Sequence, residues 1–239
     1  MLSCLGEEPP TVESHEELRQ SIPLAERRAA MALLAGERTK AKVLDVVADA
    51  RETAAWLLQT NGPALTPIAC REGCGACCRF PVDVTAPEVI SLAELIRDRW
   101  APEAVAALRT KLAAFTAAAG AVSPALRPGR RLPCALLVDE RCTIYEARPL
   151  PCRGWTSSDA QACQDGVTRP ELPIPTDALR LLIHHGVQDG LWMGLRDVGY
   201  RLEVLDLGVA LEIALARDDV AERWLEGEAV FLDARTQPA

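Results

Sequence analysis

The sequence predicts a mainly α protein in which helices enclose a small, loop-rich cysteine module with at most a short β-hairpin. Apolar residues recur at helical spacing before, between and after two stretches that lack this period. Those two stretches, residues 64–81 and 121–175, hold eight of the nine cysteines. Prolines are frequent in the second stretch, and proline interrupts helices. We therefore expect both cysteine-bearing stretches to be irregular loops.

An N-terminal helical segment is predicted over residues 1–63. Its apolar positions follow steps of four and three residues, which place them on one helix face: Val43, Val47, Ala50, Ala54 and Leu57. Gly36 predicts a break between two helices, because glycine is a poor helix former. Asn61, Gly62 and Pro63 predict the end of the second helix.

A helix pair is predicted between the two cysteine stretches. Thr85 and Glu88 have the spacing of a capping box, with a proline in the first turn. A second helix is predicted from Pro102, and the two helices are expected to be antiparallel. This pair and both cysteine stretches form the predicted metal-binding module, residues 64–175.

The rest of the module and the C-terminus have weaker patterns. Residues 135–138 and 142–145 could form a short hairpin. In the C-terminal helical segment, residues 176–239, helices are predicted at about 176–196, 206–216 and 218–226, with aspartates as N-caps.

Charge and hydropathy limit the function. The 26 Lys and Arg against 34 Asp and Glu give a formal charge of -8, which disfavours general nucleic-acid binding. No stretch has the apolar length of a membrane span, and the first ten residues lack a signal-peptide pattern. We therefore expect a cytoplasmic protein without a nucleic-acid or membrane partner. In a reducing compartment, nine cysteines indicate metal binding or redox chemistry more than disulfides.

The first cysteine group is compact. Four cysteines lie within nine residues in the pattern C-x3-C-x2-C-C: Cys70, Cys74, Cys77 and Cys78. Closely spaced thiolates on a glycine-containing loop can converge on a metal, with zinc–sulfur bonds of about 2.3 Å. The alternative is that these cysteines are small buried apolar residues, but packing does not explain four in nine positions.

The second cysteine group has wider spacing and a basic flank. It comprises Cys134, Cys142, Cys152 and Cys163. Between residues 127 and 153, six arginines face three acidic residues; the arginines are Arg127, Arg130, Arg131, Arg141, Arg148 and Arg153. Their charge could stabilise thiolates around a metal, or they could form a solvated surface run, and the sequence leaves both explanations open.

Both groups together resemble the YkgJ-type cysteine-cluster family of zinc- or iron-chelating domains, named for a C-x2-C-x2-C-C motif. The matching stretches are residues 70–78, residues 132–137 and the run C-T-I-Y-E-A-R-P-L-P-C-R at residues 142–153. The first gap has three residues here, where the family motif has two. The resemblance covers roughly residues 68–165 and implies metal binding. Flagellin lysine N-methylases are similar in carrying such a module, thought to hold an iron–sulfur cluster.

The sequence therefore predicts a metal-binding protein with eight candidate ligands: Cys70, Cys74, Cys77, Cys78, Cys134, Cys142, Cys152 and Cys163. The expected cofactor is an iron–sulfur cluster or zinc. Eight thiolates exceed one zinc site, which favours the cluster, although two zinc sites would also use eight. Metal handling or protein maturation is the expected role, with an unidentified protein partner. An iron–sulfur-dependent modifying enzyme and a metal-free redox module remain alternatives. His184 and His185 are more typical of helix residues than of ligands.

Overall fold

Helices dominate the fold. The computed structural model describes residues 15–236. Its α-helices in this range are α1 (His15–Leu34), α2 (Lys40–Thr60), α3 (Ala86–Arg99), α4 (Pro102–Gly120), α5 (Leu150–Gly154), α6 (Ala160–Thr168), α7 (Ala178–Asp197), α8 (Leu207–Ala216) and α9 (Val220–Leu225). The short strands are β1 (Asp83–Val84), β2 (Leu137–Val138), β3 (Arg141–Cys142) and β4 (Leu205–Asp206). The predicted mainly α class is confirmed.

The closest helix contact is between α1 and α7. Gly186, Gly190 and Gly194 recur every fourth residue on α7 and face α1. A Cβ atom on Gly190 would lie 2.6 Å from the carbonyl oxygen of Pro23, so only glycine allows this approach. Helix α2 packs against both α1 and α7, and α8 packs against both α3 and α4.

One hydrophobic core contains residues from all three predicted segments, among them Leu34, Leu92 and Leu195. The division at residues 63 and 175 stays a prediction. Within residues 15–236, no helix combines the length and apolar character that crossing a membrane requires.

The start of α3 holds the cysteine module in place. Thr85 and Glu88 form the predicted capping box, in which the Thr85 hydroxyl accepts from the Glu88 backbone and the Thr85 N–H donates to Glu88 Oε2 at 2.9 Å. The Glu88 side chain is buried, and its Oε1 accepts from the Leu150 N–H at 2.9 Å. One carboxylate therefore caps α3 and fixes the first residue of α5.

The predicted hairpin is present in a shorter form. Strand β2 pairs with β3 in antiparallel register, Leu137 with Cys142 and Val138 with Arg141. The two loop residues, Asp139 and Glu140, have φ of 48° and 59°. Positive φ at both positions is what a two-residue type I′ turn requires, although glycine or asparagine usually supplies it. Sequence analysis did not predict the second sheet, in which β1 pairs with β4.

The expectation of irregular loops over residues 121–175 was wrong at two places. Helix α5 carries Cys152, and helix α6 carries Cys163. The Asp159 carboxylate caps α6 by accepting from the N–H groups of Gln161 and Ala162 at 2.8 and 3.0 Å. Prolines early in α5 suit a first turn, where a missing N–H costs nothing. Such short helices have too few residues to show a hydrophobic period.

Candidate metal centre

The first cysteine loop is curled by two successive turns. The Cys74 N–H donates to the carbonyl of Arg71 at 3.1 Å, and the Cys78 N–H donates to the carbonyl of Gly75 at 3.2 Å. Gly73, between them, has φ of +86°, a conformation that L side chains rarely adopt. Cys77 and Cys78 then begin a short 3-10 helix. The loop thus brings its cysteines to one side of the module.

Three contacts attach the second cysteine stretch to this loop. The Cys134 N–H donates to the carbonyl of Cys78 at 2.8 Å. Arg79 forms a two-pronged ion pair with Glu140 at the hairpin turn, with N–O distances of 2.6 and 3.0 Å. Gly75 lies under the same turn, where a Cβ atom would be 3.2 Å from the carbonyl oxygen of Glu140. Cysteines distant in sequence are therefore neighbours in space.

Cys78 lies at the centre of the first group of thiols. Hydrogen bonding with Cys78, aided by the Arg148 charge, lowers the pKa of Cys77 and of Cys142 to about 7. The same hydrogen bonds raise the pKa of Cys78. The bond with Cys142 has the larger effect and the bond with Cys77 the smaller. Two thiols here are thus close to ionisation at neutral pH, and the ionised thiolate is the form that binds metal.

Cys134 and Cys152 adjoin this group from the buried side. Burial raises the pKa of Cys134 to about 11 and that of Cys152 well above its ordinary value. The charges of Cys77 and Cys142 contribute to both of these increases. A thiol buried in this way stays protonated unless a cation takes the place of its proton.

Cys70, Cys74 and Cys163 form a second group near Ser157. The Cys70 sulfur accepts from the Ser157 N–H at 3.3 Å. Burial is the main reason that the pKa of Cys163 is raised. A hydrogen bond with the Ser157 side chain lowers this pKa, and the charges of Cys70 and Cys74 raise it. Cys163 is therefore close to the first cysteine loop, a grouping that the sequence order does not suggest. Ser157 itself had no signal in the sequence.

A cavity of about 790 Å³ adjoins the thiols. Six of the eight candidate ligands line it: Cys74, Cys77, Cys78, Cys134, Cys142 and Cys152. Phe80, Trp155 and residues of α7 form other parts of the wall. Six cysteines of the predicted set are thus gathered around one cavity, which Cys70 and Cys163 do not line.

The basic flank supports thiolates at one arginine, and two others pair with a buried carboxylate instead of forming a solvated surface run. Arg148 stacks on the Tyr145 ring at 3.8 Å, and its charge lowers the pKa of four thiols: Cys70, Cys77, Cys142 and Cys152. Arg127 and Arg130 instead form ion pairs with Asp206. Arginine support of thiolates is therefore concentrated at Arg148.

Other residues considered from the sequence lie elsewhere. His184 is buried, its Nδ1 lies 2.8 Å from the carbonyl oxygen of Arg180, and burial lowers its pKa to about 4. It is a neutral histidine with one nitrogen committed to the helix backbone. His185 lines the large cavity. Cys4 lies outside the described residues.

The thiol chemistry of the site fits zinc or iron, both of which bind cysteine thiolates. In the part of the chain that the structure describes, no three His, Cys, Asp or Glu side chains have the arrangement that would hold a metal ion directly. The assignment of individual ligands therefore stays a prediction.

Comparison with known proteins supports the metal-binding character of this module. Residues 69–169 match the family model CxxCxxCC, described as a "putative zinc- or iron-chelating domain". The resemblance predicted from the cysteine motifs is thus confirmed over that range. No curated protein matches the chain. No solved structure matches it either.

Proposed function

We propose that this protein binds an iron–sulfur cluster, or in its absence zinc, on thiolates from the eight clustered cysteines. The observation that carries the proposal is the cavity of about 790 Å³ with six thiols in its wall. Metal handling or maturation of another protein is the proposed role. Free thiols at all eight described positions suit a reducing compartment, and we place the protein in the cytoplasm.

Cys77, Cys78 and Cys142 are the proposed core of the ligand set, with Cys134 and Cys152 beside them. The first three are linked by thiol hydrogen bonds, and two of them have pKa values of about 7. On binding, the metal would replace the protons of the buried thiols and draw the sulfurs closer. Bound iron–sulfur cluster would supply one-electron redox chemistry.

The size of the cavity favours a cluster over one zinc ion. A zinc ion with four thiolates is compact, with bonds of about 2.3 Å, and structural zinc sites are closed. A wall of six thiols around a larger space suits a polynuclear centre better. The remaining two candidates, Cys70 and Cys163, could complete the set with Cys74 or hold a second ion with it.

Anaerobic purification followed by iron, zinc and acid-labile sulfide analysis tests the proposal. The expected preparation is brown, contains iron and sulfide, and bleaches in air. Cys77→Ser and Cys142→Ser should lose most of the metal, whereas the control Cys4→Ser should keep it. A colourless protein with stoichiometric zinc would exclude the cluster. Equal metal content in all three variants would exclude the proposed ligands.

A second candidate function is an iron–sulfur-dependent modifying enzyme, and the large cavity favours it. Beyond the thiols, His185, Gln188 and Asp189 of α7 line the wall, leaving room for part of a substrate. Cavities of about 300–1,000 Å³ are typical of small-molecule sites. The resemblance to lysine N-methylases suggests a test. The protein is incubated with added proteins and a sulfonium methyl donor, and mass spectrometry then detects methylated lysine on the added proteins. Asp189→Asn should lower that activity without changing metal content.

A further inference from the structure

A second, smaller cavity lies next to the cysteine module and is strongly basic. Its volume is about 210 Å³. Five arginines from separate parts of the chain line it, and none of its lining residues carries a carboxylate: the arginines are Arg51, Arg71, Arg148, Arg153 and Arg180. Only two of these belong to the basic run of the sequence. The fold therefore assembles a positive site that the sequence order conceals.

Within residues 15–236, these five arginines lack ion-pair partners, although the Asp177 carboxylate lies near Arg180 and the Glu146 carboxylate near Arg153. Glu88 is near enough to Arg51 to raise its pKa, but the Glu88 oxygens already accept from Thr85 and Leu150. Burial and the neighbouring charge of Arg153 both lower the pKa of Arg51. Unpaired cations of this kind destabilise a fold unless an anion joins them.

Unused hydrogen-bond donors in the wall indicate the same kind of ligand. Arg51 Nε and Nη2 and Arg180 Nε are buried without a partner. Thr156 also lines the cavity, is only 7% exposed, and its hydroxyl has no partner. Most buried polar groups in proteins are hydrogen-bonded, so unpartnered donors on residues of this wall point to an acceptor that the protein itself does not supply.

The metal centre does not fully account for this charge. Cys70, Cys74 and Cys77 share the wall of the small cavity, so part of the arginine charge faces thiolates. A divalent ion with four thiolates has a net charge of about -2, and oxidised clusters with four thiolates are similarly anionic. Five guanidinium groups exceed that charge. Of the five, Arg51 on α2 and Arg180 on α7 are distant from the cysteine loop in sequence.

We propose that the small cavity binds an oxyanion, a phosphate or carboxylate group, between Arg51, Arg180 and the Thr156 hydroxyl. Guanidinium groups bind both kinds of oxyanion with paired N–H donors. A volume of about 210 Å³ fits a small free anion or the acidic group of a larger molecule. The ligand would lie beside Cys74 and Cys77, which line both cavities, and therefore next to the metal centre. The site extends the proposed function without depending on which metal is bound.

The test uses full-length, metal-loaded protein and inorganic phosphate or acetate at constant ionic strength, measured by calorimetry. Arg51→Gln and Thr156→Val should each weaken binding of the preferred anion at least tenfold. Arg109→Gln, a change at an exposed arginine of α4, is the matched control and should leave binding unchanged. Preference for phosphate or for acetate would identify the source of the oxyanion.

Stability and metal content separate this proposal from its alternatives. In anion-free buffer, Arg51→Gln should melt at the same temperature as the wild type or higher, because it removes an unpaired buried cation. Added anion should then raise the melting temperature of the wild type only. Absence of anion binding by the wild type would overturn the proposal, and so would equal binding by wild type and Arg51→Gln. Loss of metal from Arg51→Gln without any anion binding by the wild type would show that the arginines serve the metal centre alone.

Discussion

Replacement of Glu26 by glutamine should make the protein more stable at neutral pH but not at low pH. Glu26 lies on α1 opposite Gly190 of α7 and is 1% exposed. Its carboxylate forms no close hydrogen bond within residues 15–236. Burial, followed by the nearby charge of Asp49, raises the pKa of Glu26 from 4.5 to about 7 against the smaller, opposite effect of the nearby Thr53 side chain. The folded protein therefore keeps a proton on Glu26 that the unfolded chain releases.

The expected size of the effect follows from this pKa difference. Below pH 4.5 both states are protonated, and the raised pKa has no effect on the free energy of unfolding. As the pH rises from 4.5 to about 7, the unfolded state ionises first, and stability falls. Each pKa unit corresponds to about 1.4 kcal/mol, so the total loss is about 3 kcal/mol. Glutamine cannot ionise and should avoid this loss.

Urea denaturation of wild type and Glu26→Gln at several pH values between 4.5 and 8 measures the effect. The stability difference between the two proteins should grow by about 3 kcal/mol in favour of the variant across this range. Titrating groups that do not interact with Glu26, including the thiols, contribute equally to both proteins and cancel in the difference. Glu52→Gln, at an exposed position of α2, is the control and should show no such trend. A difference between wild type and Glu26→Gln that is independent of pH would refute the reasoning.

Three further outcomes are expected. Gly190→Ala should lower the free energy of unfolding by about 1–3 kcal/mol in urea denaturation, because the added Cβ would overlap α1. The control Gly62→Ala should change this free energy little, because the space around Gly62 is open. Metal removal should increase hydrogen exchange in residues 64–81 and 121–175 more than in the long helices, and a uniform increase would contradict this. Glu140→Gln should change the free energy of unfolding little, since its ion pair is largely exposed, yet it should speed hydrogen exchange at the hairpin turn.

Local signals in the sequence were sufficient to predict the long helices. Gly36 lies between α1 and α2 with φ of +83°, at the helix break that the sequence predicted. Asp177 and Asp206 cap α7 and α8, as expected for aspartates before an apolar period. These features depend on residues within one turn of each other, so a single sequence contains the information.

Features that depend on contacts between distant segments were missed. The β1–β4 pair joins residues more than 100 positions apart, and each strand has two residues, too few for an alternating pattern. The proximity of Cys163 to Cys70 results from the position of α6 and Ser157. Arg51 and Arg180 meet Arg153 only because α2, α5 and α7 pack together. Spacing along the chain contains no information about such encounters.

The shared wall between the two cavities links their proposed ligands. Cys74, Cys77 and Arg148 line both, so a charge placed in one cavity acts on the other across a single layer of side chains. Metal loading removes the remaining thiol protons and gives a centre with a net charge of about -2. That centre would attract Arg148 and repel an oxyanion, so loading should weaken anion binding. By thermodynamic reciprocity, a bound anion must weaken metal binding by the same factor. An anionic partner could therefore favour release of the metal, which is the behaviour that a metal-handling protein requires and a permanent structural site does not.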